Sequence, residues 1–196
     1  MKQKLLLTLL LIFTIKSFSQ DSKLSIEANF PIAIGDNFLE QNYNGLVDLG
    51  GKYKFSDSKT VDVGVSINFG FFQNTKSNAT SLNQLFEVKI FPIQPRIYTE
   101  FNIPNLEKFH PHIGLGYSIV IYNADWVENR NADFPIDIND NEGGFNLNIG
   151  LSYDLNSRLF IQAQYDFIKI RVEDGIPDTS YNTNVNILKF GIGYRI

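Results

Sequence analysis

Leu188-Lys189-Phe190-Gly191-Ile192-Gly193-Tyr194-Arg195-Ile196 is the stretch whose reading decides the fold. Leu188, Phe190, Ile192, Tyr194 and Ile196 fall on one face, and Lys189, Gly191, Gly193 and Arg195 on the other. This period of two is that of a strand with one apolar and one polar side. Chain ends are usually loose unless tied down, so alternation kept to the last residue predicts a strand that a sheet needs for closure, as in a β-barrel.

At the other end, Lys2 and Lys4 precede an apolar run from Leu5 to Ile15, followed by Ser17-Phe18-Ser19. A basic start, a short apolar run and small residues form the pattern of a cleaved export signal, here expected over residues 1–19. Loss of Lys2, Lys4 and Lys16 with no acids would take the formal charge from -4 to -7. A mildly acidic chain without a basic block makes nucleic acid a poor partner. There are no cysteines, so neither disulfides nor a lipid-bearing thiol stabilise or anchor the chain. Residues 20–196 are expected to form one domain. Outside the leader no apolar run is long enough for a spanning helix, and any membrane span must consist of strands.

Eight alternating segments follow the leader. Their apolar faces are Leu24 to Ile34, Val47 to Phe55, Val61 to Phe71, Ile113 to Ile121, Phe145 to Leu155, Leu159 to Phe167, the terminal stretch, and a segment from Phe86 to Phe101. In this last segment Phe86, Val88 and Ile90 share one parity and Ile93, Ile97 and Phe101 the other, so a bulge is expected at Pro92 and Pro95. No helical periodicity is visible beyond the leader. The links alternate in length. Ser56 to Lys59, a turn around Pro104, and Asn156-Ser157 are short, whereas Gly35 to Asn44, Gln73 to Asn83, Asn123 to Gly143 and Glu173 to Asn182 are long and polar. Even strand number with short turns at one end and long loops at the other is the pattern of a transmembrane barrel, with both termini on the periplasmic, short-turn side.

A soluble barrel with an apolar interior is the competing architecture. The polar faces, such as Asp62-Gly64-Ser66-Asn68-Gly70 and Asn146-Asn148-Gly150-Ser152-Asp154, are small and suit a crowded lumen better than a solvated surface. Tyr53, Phe55, Tyr98, Phe101, Tyr153 and Tyr194 at one end, and Phe69, Phe71, Tyr117 and Phe167 toward the other, are expected to form two aromatic girdles.

Two stretches carry a family resemblance. Phe109-His110-Pro111-His112-Ile113-Gly114-Leu115-Gly116-Tyr117 is similar to the "kPYvGaGlgY" strand, and Phe190-Gly191-Ile192-Gly193-Tyr194-Arg195 to the "GxGYRF" ending, of small eight-stranded outer-membrane barrels of Gram-negative bacteria, the OmpA, OmpX and OmpW type. The resemblance implies that Phe190, Ile192, Tyr194 and Ile196 form a signal read by the barrel-assembly machinery, although this chain ends in Ile196 where the family has an aromatic residue. Outer-membrane lipid is then the surrounding medium.

Function has to come from the lumen, which eight strands leave only wide enough for side chains. Lys52, Lys54, Arg96, Lys189 and Arg195 face Asp62, Asp154 and Asp166 at inward positions, with Glu27, Asp48, Glu87 and Lys89 on the same side; paired, they would plug the barrel. Near the long-loop end the inward positions become apolar, with Val120, Tyr122, Ile168, Ile170, Val172, Val185 and Ile187, while Lys169, Arg171, Asn184 and Asn186 turn outward. This predicts either packing beneath the loops or an apolar mouth for small hydrophobic molecules, the latter implied by the OmpW likeness, with Trp126 as a possible cap. His110 and His112 are too few for a metal site, and Asp137-Ile138-Asn139-Asp140-Asn141-Glu142 fails the calcium-loop pattern at Glu142 and Asn148, reading as a solvated acidic loop. No cofactor is expected. The expectation is a non-enzymatic barrel, structural or a narrow passage for hydrophobic solutes; a surface-binding or adhesion module acting through the long loops, and a lipid A modifying enzyme, are the alternatives.

Overall fold

In the computed structural model, described over residues 23–74, 86–126, 138–172 and 175–196, the period-2 segments form eight antiparallel strands closed into one barrel. The strands are β1 (Leu24–Ile34), β2 (Tyr43–Ser56), β3 (Val61–Asn74), β4 (Phe86–Phe101), β5 (Phe109–Trp126), β6 (Ile138–Asp154), β7 (Leu159–Ile170) and β8 (Asn184–Arg195). Each pairs with its neighbours in chain order, and β1 closes on β8 from Ser25 opposite Arg195 to Ile34 opposite Asn186. The expected all-β up-and-down barrel is borne out. The leader lies outside the described residues.

Alternation sorts the side chains. Phe30, Leu49, Ile97, Leu115, Ile149 and Phe190 point outward from six different strands, each roughly half exposed or more, while Asn68, Gln94, Asn146 and Asp166 face inward and are fully buried. An apolar belt around the whole circumference over a polar interior inverts a soluble barrel and matches a bilayer span, in which closure leaves no unpaired edge. No helix among the described residues is long and apolar enough to cross a membrane.

Short turns join β2 to β3, β4 to β5 and β6 to β7. In the last, the Asn156 side chain accepts from the backbone N–H of Arg158 (2.9 Å) and Leu159 (2.8 Å), a local side-chain bond that stands in for a turn hydrogen bond. Asn105, in the β4–β5 turn, takes the left-handed conformation at φ 67°, which asparagine tolerates better than most residues.

Four expectations are corrected. First, β4 has no bulge at Pro92 and Pro95: its register runs unshifted against β3 and β5. Val88 and Ile90 are inward and Ile93 and Ile97 outward because the apolar environment changes sides along one regular strand. The register shifts lie in β2, between Gly45 and Val47 and between Lys54 and Ser56. Second, the same parity turns Lys89 outward rather than inward; the side chain of Glu87, also expected inward, lies outside the described residues. Third, Tyr98 is not a girdle residue; it is buried in the lumen, its ring packed over Gly64, where a Cβ would lie 2.6 Å from the ring edge. Fourth, two short helices occur in the long links, α1 (Phe38–Asn42) and α2 (Ser180–Thr183), each too short to show a sequence period.

The long-loop rim is uneven. The pairing of β5 with β6 continues to Ala124 opposite Ile138, whereas β6 with β7 stops at Gly144 opposite Ile170. The acidic residues Asp140 and Glu142, expected in a solvated loop, therefore stand on β6 as inward positions.

Candidate functional site

The lumen is built in three levels. At the short-turn end, Lys54 bridges Asp62 (2.8 Å) and Glu100 (2.6 Å), and Asp154 receives Arg195 (2.7 Å) and His110 (3.0 Å). His110 and His112 are both lumen residues here, and His112 is buried against Gly150. Among the described residues no group of three or more His, Cys, Asp or Glu is placed to hold a metal.

In the middle level the charges are fully buried. Lys189 contacts Asp48 (2.6 Å) and Asp166 (2.8 Å), Arg96 contacts Asp166 (2.8 Å), and Lys52 contacts Glu27 (3.0 Å). Amides fill the remaining valences: Asn68 donates to both Glu27 and Asp48 at 2.8 Å, Arg96 Nε donates to Asn146, and Gln94 accepts from Lys189 at 2.7 Å. Isolated ions in such an interior would each cost several kcal/mol, and mutual pairing offsets that cost. Glu27 and Asp48 take the inward places expected of them, and Gln94, Glu100, Gln162 and Gln164 join the charged residues singled out from the sequence. Their inward parity was the only signal.

Above this level the inward positions of the contributing strands become large and apolar. Gly70 gives way to Phe72 in β3, Pro92 to Ile90 in β4, Ser118 to Val120 in β5, Asp166 to Ile168 and Ile170 in β7, and Lys189 to Ile187 and Val185 in β8. These side chains are buried together, and Leu39 from α1 is inserted among them. Five of the seven residues expected at an apolar mouth, Val120, Ile168, Ile170, Val185 and Ile187, lie in this layer, with Tyr122 packed against it. Leu39, Phe72 and Ile90 were not foreseen, because Phe72 sits one residue beyond a lipid-facing run and Leu39 lies in a link.

Helix α1 is held firmly. The buried Asn37 caps it, accepting from Leu39 N (3.1 Å) and Glu40 N (3.0 Å) and donating to Ile34 O (2.7 Å). Tyr181 of α2 donates to Gln41 (3.1 Å) across the barrel seam, and the Phe38 and Tyr122 rings lie 6.4 Å apart.

On top of the apolar layer is an open cup of about 340 Å³. Phe38, Val88, Tyr122, Ala124, Val172 and Ile176 give it an apolar wall, and Asp140, Glu142 and Asn182 supply its polar atoms. Val172, the last of the expected mouth residues, lines this cup rather than the packed layer. Trp126 ends β5 at the same rim.

The family described as outer membrane protein beta-barrel domain matches residues 5–195. The chain belongs to this family. Outer-membrane β-barrel proteins sit in the lipid bilayer, and the outward apolar belt is the surface that meets it. A comparison with curated proteins finds no match. Solved structures similar to this barrel include Neisserial surface protein A (TM-score 0.60, 14% identity, 89% of this chain and 98% of the other). Ail, the attachment invasion locus protein of Yersinia pestis, in complex with the heparin analogue sucrose octasulfate, is also similar (0.57, 16%, 88% and 96%), as is the outer membrane protein OprG from Pseudomonas aeruginosa (0.51, 15%, 88% and 95%). At such identities the likeness is one of fold, and the resemblance to small eight-stranded outer-membrane barrels is borne out. What this outer-membrane β-barrel does is decided by its own lumen and rim.

Proposed function

We propose that the protein is a non-enzymatic outer-membrane barrel that receives small molecules with an apolar body in the cup at its long-loop end, over a lumen that is closed to ions. The observation that carries this reading is the cup itself: a concave, largely apolar cavity of about 340 Å³ with a few polar atoms, seated on a packed apolar floor. Cavities of roughly 300–1,000 Å³ with that lining are the usual form of small-molecule sites. Below the floor the lysines, arginines and carboxylates of the middle level are tied into ion pairs and hydrogen bonds to side-chain amides, which supports a plug rather than acid–base or nucleophilic chemistry. The short-turn end, with both termini, is assigned to the periplasm, as barrels of this construction require. The closing strand, ending in Phe190, Ile192, Tyr194 and Ile196, is assigned to recognition by the assembly machinery, which the likeness of its pattern to the family ending supports.

Adhesion is the weaker reading. Ail is described with a heparin analogue, a dense polyanion. In this chain the four long links together hold eleven acids and two bases, a field that repels such ligands.

Fluorescence titration of the purified barrel in detergent with N-phenylnaphthylamine, a neutral apolar probe, tests the proposal. Saturable binding to wild type is expected, and Ala124→Phe, which fills the cup from an inward position above the lipid zone, should abolish it while leaving heat-modifiable gel migration unchanged. Absence of saturable binding to wild type, or equal binding by the filled variant, refutes the cup as the site.

A further inference from the structure

The cup is not uniformly apolar, and the charged side chains among its described lining residues share one sign. Asp140 and Glu142 are successive inward positions of β6, facing Tyr122 and Val120 of β5 in register. Both line the cup, and no lysine, arginine or histidine is among the described residues that do. Beside them stand the two aromatic rings, Phe38 and Tyr122, inclined at 43°. The Tyr122 hydroxyl donates to Glu142 at 3.3 Å, which ties the ring to the carboxylate.

A neutral apolar molecule entering this space would strip water from the Asp140 carboxylate and return nothing to it. An anion would meet direct repulsion. A cation on an apolar body answers both needs: its charge compensates that carboxylate as water leaves, and its body covers Val88, Ala124 and the ring faces, whose negative quadrupole also favours a cation. The excess of acids in the surrounding long links raises the local concentration of cations at the rim.

We infer that the cup selects small organic cations, ammonium groups carried on an apolar body, with Asp140 and Glu142 as the charge-reading residues and Phe38 and Tyr122 as the ring walls. This rests on the reading of the cup as a small-molecule site and narrows the class of ligand.

The test uses three probes that share one ring and differ in charge: benzyltrimethylammonium, benzyl alcohol and phenylacetate. Each is titrated calorimetrically into the full-length mature barrel in a nonionic detergent at low salt, alongside Asp140→Asn/Glu142→Gln, a pair of near-isosteric changes that removes both charges. The cation is expected to bind about tenfold tighter than the alcohol, and phenylacetate weakest of the three. In the double variant the cation should fall to about the affinity of the alcohol, whose own binding changes little. Heat-modifiable migration and binding of the alcohol report that the variant is folded. If cation and alcohol bind wild type equally, or the cation's advantage survives in the double variant, the charge selection is refuted and the cup remains a site for neutral molecules. If no probe binds wild type at all, the cup reading falls, and the selection with it.

Discussion

Asp166 is the side chain on which the middle of the lumen depends. Its carboxylate takes Arg96 and Lys189, each at 2.8 Å, and amide hydrogens from Asn148 (2.6 Å) and Gln94 (3.1 Å), with no exposure to solvent. Removing it takes from the buried Arg96 its carboxylate partner and leaves the buried Lys189 with Asp48 alone, and Asp166→Ala is expected to destabilise the barrel by about 3–5 kcal/mol. Asp154 also holds two partners, Arg195 and His110, but its side chain is 20% exposed at the short-turn end, where water replaces them, so Asp154→Ala should cost about 1 kcal/mol or less. Urea unfolding in lipid vesicles ranks the two, and a reversed ranking would contradict a dry middle level. The outer face obeys the opposite rule. Ile149 is half exposed near the middle of β6, so Ile149→Arg should cost about 2–4 kcal/mol in vesicles. Equal tolerance of arginine and alanine there would mean that this face does not meet lipid.

At the level of single strands, β8 joins the two halves of the ring. It pairs with β7 from Lys169 opposite Asn184 to Leu159 opposite Tyr194, and with β1 along ten residues. Deleting residues 194–196 removes the last rungs on both sides, and the shortened protein should be degraded or remain periplasmic. Ile196→Phe is expected to insert at least as well as wild type; fractionation with heat-modifiable migration reads both variants. The strands themselves were legible because alternation over 11 to 18 residues is a strong signal when lipid lies on one side and a crowded polar lumen on the other. The signal misled where that contrast reverses. In β4 the apolar set moves from Ile93 and Ile97 outside to Ile90 and Val88 inside, and pattern alone made this look like a change of parity. Asp140 and Glu142 read as loop in the sequence for a related reason: above the lipid, strand residues no longer need an apolar outer face. Leu39 gave no signal, since a five-residue helix has no room for a period.

The whole molecule is a wall of lipid-facing side chains around a column that is charged below and dry above. Ions moving along that column would have to break buried pairs and then cross a layer whose Phe72, Ile90, Ile168 and Ile187 side chains are fully buried. Planar bilayers containing wild type should therefore show no steady conductance, and persistent open levels would rule out the sealed column. From the sequence the polar plug and most of the apolar layer could be read as inward positions, but the cup could not, because it depends on where α1 folds and how far β6 rises. The closure of β1 on β8 has one more consequence. Ile196 N donates to Leu24 O at 2.9 Å, so the two ends of the strand ring touch, and the order in which the strands are translated is independent of their order in space. A circular permutant that joins these ends and reopens between Asp57 and Ser58, with an export leader placed before Ser58, would keep every neighbour pair. Its final strand would be β2, ending in Gly51-Lys52-Tyr53-Lys54-Phe55, with Tyr53 and Phe55 facing outward as Ile192 and Tyr194 now do. Such a rearranged chain should still reach the membrane as a barrel, with Tyr53 and Phe55 near its new terminus where the natural order has Ile192 and Tyr194.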